Sequence, residues 1–351
     1  MIRYGIIGCG HIAKKHKKAI DDVDGAKLVR VCDKDPDKLT HFTEQGVSGS
    51  TDVMEILTSP DVDVVNICTP SGLHADLTVR AAEQGKHIVV EKPMALTLTD
   101  AVRMVQACDH HGVQLSVVHP NRFRPAIRAL RCRVEEGAFG TFSHANATVR
   151  WNRDQEYYDQ ASWRGTRRMD GGVLMNQAIH NLDLLLWMMG EVEKVSSFHS
   201  TRLRNIETED TSVSILTFKN GALGVVEAAV TLYPRNLEES LSLFGETGTA
   251  VVGGPTANWI QAWKFADMTD GETEAVMRRV NDNPYGIPGH HCLIQDMTEA
   301  VQKGSRPLVT GEDGMRALSL AVACQRSAET GQSVYIDDLL EEFVGKEGEM
   351  K

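Results

Sequence analysis

The chain has 351 residues, of which 42 % are hydrophobic and 24 % charged, and 37 Lys and Arg against 48 Asp and Glu leave a formal net charge of −11. This length fits two domains of ordinary size. The composition excludes a disordered chain, and the acidic balance excludes bulk nucleic-acid binding, which needs a basic footprint.

In chain order, residues 4–7 form an apolar run ending in glycine and predict a strand, followed by a helix over 11–21. Further apolar runs at 28–32, 62–68, 87–90 and 113–118 predict strands, with helices over 73–84 and 97–111 between them. Continuous apolar strands separated by helices indicate a parallel sheet covered on both faces, the doubly wound α/β arrangement.

Past residue 120 the pattern changes. A basic amphipathic helix is expected over 122–136, a half-exposed strand over 141–152 and a long helix over 172–189. Strands follow over 195–201, 211–218, 222–229, 240–244 and 249–252, with Asn220-Gly221 as a hairpin signal between two of them. Helices over 290–302 and 313–330 complete the reading. The expected fold class is α/β, with a dinucleotide-binding domain over 1–121. An α+β domain with a large, mostly antiparallel open sheet is expected over 122–351.

Gly8-Cys9-Gly10-His11-Ile12-Ala13 matches G-x-G-x-x-G/A, directly after the first strand and at the start of the first helix. Gly8 permits the tight turn, Gly10 lets backbone approach a pyrophosphate, and the helix N-terminus at His11 and Ile12 offers N–H donors. Asp33 lies 20 positions past Ala13 at the end of the second strand, where an acid accepts from a ribose diol and disfavours a 2′-phosphate. The cofactor expected is therefore NAD; Lys34, a nearby cation, is the one residue that argues for a phosphate.

Ligands of such sheets sit at the carboxyl ends of strands. Polar residues gather there: Thr69, Pro70 and His74 after one strand, Glu91 and Lys92 after the next, and Asn121 after the last. Lys92 is the candidate for proton transfer, because partial desolvation lowers a lysine pKa.

Asn176, His180 and Asp183 stand at i, i+4 and i+7 of the long helix, so one face is expected to carry all three, with Asp183 fixing the His180 tautomer. No ligand set of metal spacing accompanies His180, and the pairs His110-His111 and His290-His291 read as surface or loop residues, so no metal is expected. The seven cysteines are odd in number and form no C-x-x-C pair, which fits buried reduced thiols.

Residues 119–169 hold ten arginines against five acids, a local +5 that leaves −16 for the rest of the chain. Arg150, Arg153, Arg164, Arg167 and Arg168 lie among Trp151, Tyr157, Tyr158 and Trp163, a mixture suited to a sugar or uracil face with a diphosphate, or equally to an interface.

Gly8–Ala13, Glu91-Lys92-Pro93, Trp163-Arg164 and Gly171-Gly172 with His180-x-x-Asp183 together resemble the glucose–fructose oxidoreductase, inositol dehydrogenase and MocA (Gfo/Idh/MocA) family over nearly the whole chain. The resemblance implies an NAD-dependent dehydrogenase acting on CH–OH, with Lys92 and His180 as the catalytic pair. It further implies an open sheet that mediates a homodimer or homotetramer. Gly8, Gly10, His11, Ile12, Asp33, Thr69, Pro70, His74, Glu91, Lys92, Asn121, Trp163 and Arg164 are the implied cofactor contacts.

A narrower pattern carries over residues 121–177: Arg153, Tyr157, Trp163-Arg164-Gly165-Thr166 and Asn176-Gln177. It is similar to the UDP-N-acetyl-2-amino-2-deoxyglucuronate (UDP-GlcNAcA) 3-dehydrogenases. That implies a nucleotide-sugar uronate oxidised at C3, in the supply of sugars for bacterial surface polysaccharides. The implied substrate contacts are Lys92, Arg153, Tyr157, Arg164, Thr166, Asn176, Gln177 and His180. Many members of the wider family carry Asp at the position of Asn176, so here the proton transfer falls to Lys92 and His180. The alternatives are another reaction of the family, such as a sugar 3-ketoreductase or an inositol-like or aldose dehydrogenase, or a nicotinamide-binding sensor without turnover. A small molecule is the expected partner, with no nucleic acid and no membrane. Residues 1–8 lack the regions of a secretory signal and no run of about 18 uncharged apolar residues occurs, so a cytoplasmic location is expected.

Overall fold

The structure, a computed structural model, describes residues 1–344. Two compact units divide the chain: Met1–Pro120 with Pro288–Met315, and Asn121–Ile287 with the chain from Arg316.

The first unit runs β1 (Ile2–Ile7), α1 (His11–Asp22), β2 (Ala26–Cys32), α2 (Thr40–Thr43), β3 (Ser48–Ser50), α3 (Met54–Leu57), β4 (Val64–Ile67), α4 (His74–Glu83), β5 (His87–Val90), α5 (Leu98–His111) and β6 (Leu115–Val117). Its six strands lie in the order β3-β2-β1-β4-β5-β6, all parallel. The order reverses between β1 and β4, the place where such sheets open a cleft for ligands. β4 is buried at every position, as a strand covered on both faces requires. Edge strand β3 gave no sequence signal because Ser48-Gly49-Ser50 has no apolar residue.

The second unit continues with α6 (Pro125–Glu135), β7 (Phe142–Arg150), α7 (Gln155–Asp159), α8 (Ile179–Met189), β8 (Val192–Ser200), β9 (Thr211–Phe218), β10 (Leu223–Ala229), β11 (Glu238–Gly245), β12 (Gly248–Gly253), β13 (Trp259–Phe265) and α9 (Asp270–Asn281). The chain then re-enters the first unit as α10 (Gly289–Lys303), leaves it along α11 (Gly311–Thr330) and ends in β14 (Val334–Tyr335) and α12 (Ile336–Val344).

The expected division into 1–121 and 122–351 has one crossing, whereas the chain makes three; its final stretch, 345–351, lies outside the described residues. The return has a physical cause. α10 buries Leu293, Ile294 and Met297 and packs on α1, and Thr298 Oγ1 lies 2.7 Å from the hydroxyl of buried Tyr4 on β1.

Eight strands form the second sheet in the order β13-β12-β11-β7-β10-β9-β8-β14. Every pairing is antiparallel except β10 with β7. The predicted hairpin joins β9 to β10 through Asn220-Gly221. On β9 the usual inside-out order is inverted: Ser212 and Ser214 are buried while Val213 and Ile215 are exposed. The buried hydroxyls find partners, Ser214 with Ser197 at 2.8 Å, and the Ser197 N–H donates to Ser327 of α11. Phe198, Leu223 and Val225 extend the exposed apolar strip across β8 and β10.

The long helix expected over 172–189 is not one continuous α-helix. Leu174–Ala178 forms a π-helical turn ahead of α8. All seven cysteines are free, but Cys132 is exposed and Cys292 half-buried, so burial holds for five of them. No helix among the described residues is long and apolar enough to cross a membrane.

Candidate functional site

In the first unit the glycine loop between β1 and α1 has the geometry a dinucleotide requires. Gly8 has φ +93°, and a Cβ there would meet the Cys68 carbonyl oxygen at 2.8 Å. Gly10 has nothing within 4 Å of its would-be Cβ, so the face that a pyrophosphate would approach is open. Gly10 caps α1 without any side-chain bond, leaving the first N–H groups to an outside acceptor. Exposed His11 and half-buried Ile12 begin that helix.

Asp33 lies at the end of β2, and its carboxylate closes over the same loop. Oδ2 accepts from the Cys9 N–H at 2.8 Å and Oδ1 from the Asp35 N–H at 3.0 Å. A carboxylate has about four lone-pair positions, so acceptor capacity for ribose hydroxyls remains. The nearby cation is Lys38, 3.9 Å from Asp33, rather than the Lys34 singled out in the sequence. Thr69, with Pro70 after β4, carries a buried hydroxyl with no partner in the chain, a polar atom suited to an outside ligand. These features fit NAD.

The remaining polar groups of this unit form the support of the turn at Glu91-Lys92-Pro93. His74 is buried, with Nδ1 2.9 Å from the Pro93 carbonyl oxygen and Nε2 2.9 Å from that of Thr69. A neutral ring donates from one nitrogen only, so both bonds together require the charged ring; burial opposes that charge and holds its pKa below the usual histidine value. Either way the His74 nitrogens face protein carbonyls, so the expected cofactor contact from this residue is not made by them. Glu91 likewise faces inward. His16 Nε2 lies 2.9 Å from its Oε1, and its Oε2 accepts the Lys92 N–H at 3.2 Å. Burial pushes the Glu91 carboxyl up, yet the bond from His16 and the nearby His290 ring hold it well below the usual carboxylate range. Lys92 itself is half-buried.

Among the described residues, His16, Glu91 and His290 form the one His/Cys/Asp/Glu group with ligand atoms close enough for a metal, within 4.8 Å of one another. The sequence reading had placed His290 on the surface; it is half-buried at the start of α10. The bonding is that of a proton network. Asn66 Nδ2 donates to His16 Nδ1, so Nε2 carries the hydrogen and presents N–H, not a lone pair, towards Glu91.

In the second unit the structure brings several predicted substrate contacts into one chain of bonds. Arg153 Nη2 donates to Gln177 Oε1 at 3.3 Å, Gln177 Nε2 to Asn176 Oδ1 at 3.2 Å, and Asn176 Nδ2 to buried Asp170. Asp170 in turn accepts the Gly165 N–H at 2.6 Å. The Arg153 guanidinium stands 5.0 Å from the Trp151 ring and 5.3 Å from Tyr157, and that of Arg164 stands 4.1 Å from Tyr157 and 5.7 Å from Trp163. Thr166 spends its hydroxyl on the Trp163 carbonyl. Beside Arg153 and Tyr157 opens a depression of about 560 Å³, also lined by Asn152, Arg235 and Asn236. Arg204 buttresses it by donating to the Arg153 carbonyl at 2.5 Å. Sequence reading missed Arg204, Arg235 and Asn236 because they come from distant loops; no motif marks them.

Half-buried His180 lies one residue into α8. The shared face expected for Asn176, His180 and Asp183 assumed 3.6 residues per turn, and the π-turn at Leu174–Ala178 breaks that count. Asp183 is also differently employed: Arg122 grips it with two bonds, 2.9 Å to Oδ2 and 2.6 Å to Oδ1, both groups being buried. Asn121 donates to buried Glu239 at 3.0 Å. Glu209 holds the start of the π-turn, its Oε1 accepting the Leu174 N–H at 3.1 Å. Its carboxylate occupies the space a Cβ on Gly172 would need, 2.4 Å away, and Gly172 has φ +89°. Burial pushes the Glu209 carboxyl up to about 7.

The chain is similar to known proteins over most of its length. The family described as "Oxidoreductase family, NAD-binding Rossmann fold" matches residues 2–119, and "GFO/IDH/MocA C-terminal domain" matches 127–251. The WlbA dehydrogenase from Bordetella pertussis, solved with NADH and UDP-GlcNAcA, is 38 % identical, covering 95 % of this chain and 97 % of its own, with a TM-score of 0.91. Its counterpart from Chromobacterium violaceum, solved with the same two ligands, is 37 % identical over 95 % of each chain, with a TM-score of 0.89. A myo-inositol 2-dehydrogenase of Thermotoga maritima is 29 % identical over 97 % of this chain and 100 % of its own.

Proposed function

Because the chain belongs to the Gfo/Idh/MocA oxidoreductases, NAD-dependent enzymes that act on CH–OH groups of sugars and polyols, we propose that it oxidises the C3 hydroxyl of UDP-GlcNAcA to the 3-keto sugar. The observation that carries this reading is the likeness to two UDP-GlcNAcA-bound dehydrogenases at 37 % and 38 % identity over 95 % of the chain. The polyol dehydrogenase named above is at 29 %.

NAD supplies the hydride acceptor at its nicotinamide C4. The open glycine loop, the N-terminus of α1, Asp33 and Thr69 hold the dinucleotide. Lys92 or His180 takes the C3 hydroxyl proton, and the other polarises the forming carbonyl. Asn176 and Gln177, oriented by Asp170 and Arg153, hold sugar hydroxyl or acetamido groups. Arg153, Arg164 and Tyr157 meet the charged and flat parts of the nucleotide. The substrate loses one hydride and one proton, so no further reactant enters the step.

A second reading, oxidation of an inositol or aldose, is favoured by the curated relatives, which include inositol and sugar dehydrogenases. Alanine at Lys92 or at His180 tests the assigned chemistry. Turnover of NAD and UDP-GlcNAcA should fall about 10²–10⁴-fold with NADH affinity retained; full turnover in either variant contradicts it.

A further inference from the structure

Glu91 is 7 % exposed and His16 and Asn66 are 0 % exposed, and together they form a continuous run of bonds behind Lys92. The run starts on β4, where Asn66 Nδ2 donates to His16 Nδ1 at 2.9 Å. It crosses to α1, where His16 Nε2 donates to Glu91 Oε1 at 2.9 Å. It ends after β5, where Glu91 Oε2 accepts the N–H of Lys92 at 3.2 Å. Each donor meets an acceptor, and three elements of the sheet layer converge on one peptide. His290 Nε2 lies 3.8 Å from Glu91 Oε1, the oxygen that faces His16, beyond hydrogen-bond reach, and adds no bond to the run.

We propose that Glu91 is a positioning residue for Lys92: its carboxylate, oriented by His16 and Asn66, fixes the Lys92 peptide and so the direction in which the lysine side chain leaves the turn. The proposal rests on the reading of Lys92 as a proton-transfer residue. A buried anion is an expensive way to fill space, and an apolar residue of similar volume serves packing as well or better. With one oxygen taken by His16, the carboxylate uses the other to hold the backbone N–H of the lysine, which no apolar side chain does. Displacements near 1 Å at a reacting group cost about 10²-fold in rate.

The test is a double-mutant cycle on the full-length protein with NAD and UDP-GlcNAcA, using Glu91→Gln, Lys92→Ala and the double variant. Glutamine keeps the shape but turns one acceptor into a donor, which faces either His16 Nε2–H or Lys92 N–H. Glu91→Gln should lower kcat about 10–100-fold, with KM and NADH affinity near wild type, and its cost should vanish in the Lys92→Ala background. An equal cost in both backgrounds, or an unchanged kcat, overturns the proposal while leaving the role of Lys92 intact. Full turnover in Lys92→Ala overturns both together, so the two failures are told apart. Should Glu91→Gln not fold, nitrogen NMR of histidine-labelled wild-type protein decides. The proposal requires His16 neutral at pH 7 with hydrogen on Nε2; a charged ring, or hydrogen on Nδ1 alone, overturns it.

Discussion

Glu209 shows how one carboxyl shapes the site from below. It accepts from Leu174 at the π-turn and requires glycine at 172, where its carboxylate leaves no room for a Cβ. Burial raises its pKa from 4.5 to about 7. A carboxyl whose folded pKa exceeds its unfolded value is held protonated by the fold. Stability is therefore full below about pH 4.5 and lost as pH rises through about 7, by on the order of 3 kcal/mol. Urea unfolding of wild type and Glu209→Gln between pH 4.5 and 8 checks this. The wild type should lose stability relative to the variant by that amount, and parallel curves contradict it. At this scale the sequence was informative where chemistry follows from a local motif. Gly8, Gly10 and Asp33 are readable because spacing fixes their place after a strand. Asp183 was misassigned to His180 because its partner, Arg122, is 61 positions away, and no periodicity reports a pair of that separation.

Among elements, the strands of the first sheet were legible because burial on both faces makes them continuous apolar runs. β3 was not, having no apolar side chain to bury. α9 was missed although Thr269 and Glu272 form a full capping box, a signal present in the sequence as Thr-x-x-Glu. The π-turn was invisible for a different reason: the bond that holds its first N–H comes from Glu209, 35 positions away in the loop between β8 and β9, which no local pattern reports. The second sheet carries the element-scale prediction. Its strip of Phe198, Val213, Ile215, Leu223 and Val225 is exposed while serines sit inside, and the strip is continuous, since Phe198 pairs with Val213 and Ile215 with Val225. A strip of this kind, with the family resemblance, supports a second copy of the chain as its cover. Ile215→Lys should shift the protein to a smaller species in sedimentation at micromolar concentration, with NADH affinity unchanged; an unaltered mass contradicts this.

At the scale of the whole molecule, the net charge of −11 stands, but the local +5 of residues 119–169 is partly neutralised by acids the fold brings to it. Arg150 is paired with Glu227 and Glu238, Arg124 with Glu239, Arg133 with Glu136 and Asp267, and Arg122 with Asp183. These four of the ten arginines are thus structural, and all their acids but Glu136 lie outside residues 119–169. Arg153 and Arg164 differ: their hydrogen bonds go to carbonyl and amide oxygens and their guanidinium groups lie near aromatic rings. They are the cations that a nucleotide-sugar reading needs, fewer than ten but placed beside Tyr157 and the Asn176-Gln177 pair.

The most direct measurement is absorbance at the NADH band after mixing the purified protein with NAD and, separately, UDP-GlcNAcA, UDP-N-acetylglucosamine and myo-inositol. The account predicts NADH formation with the uronate and little or none with the other two. No NADH with the uronate, or turnover of myo-inositol in its place, contradicts it.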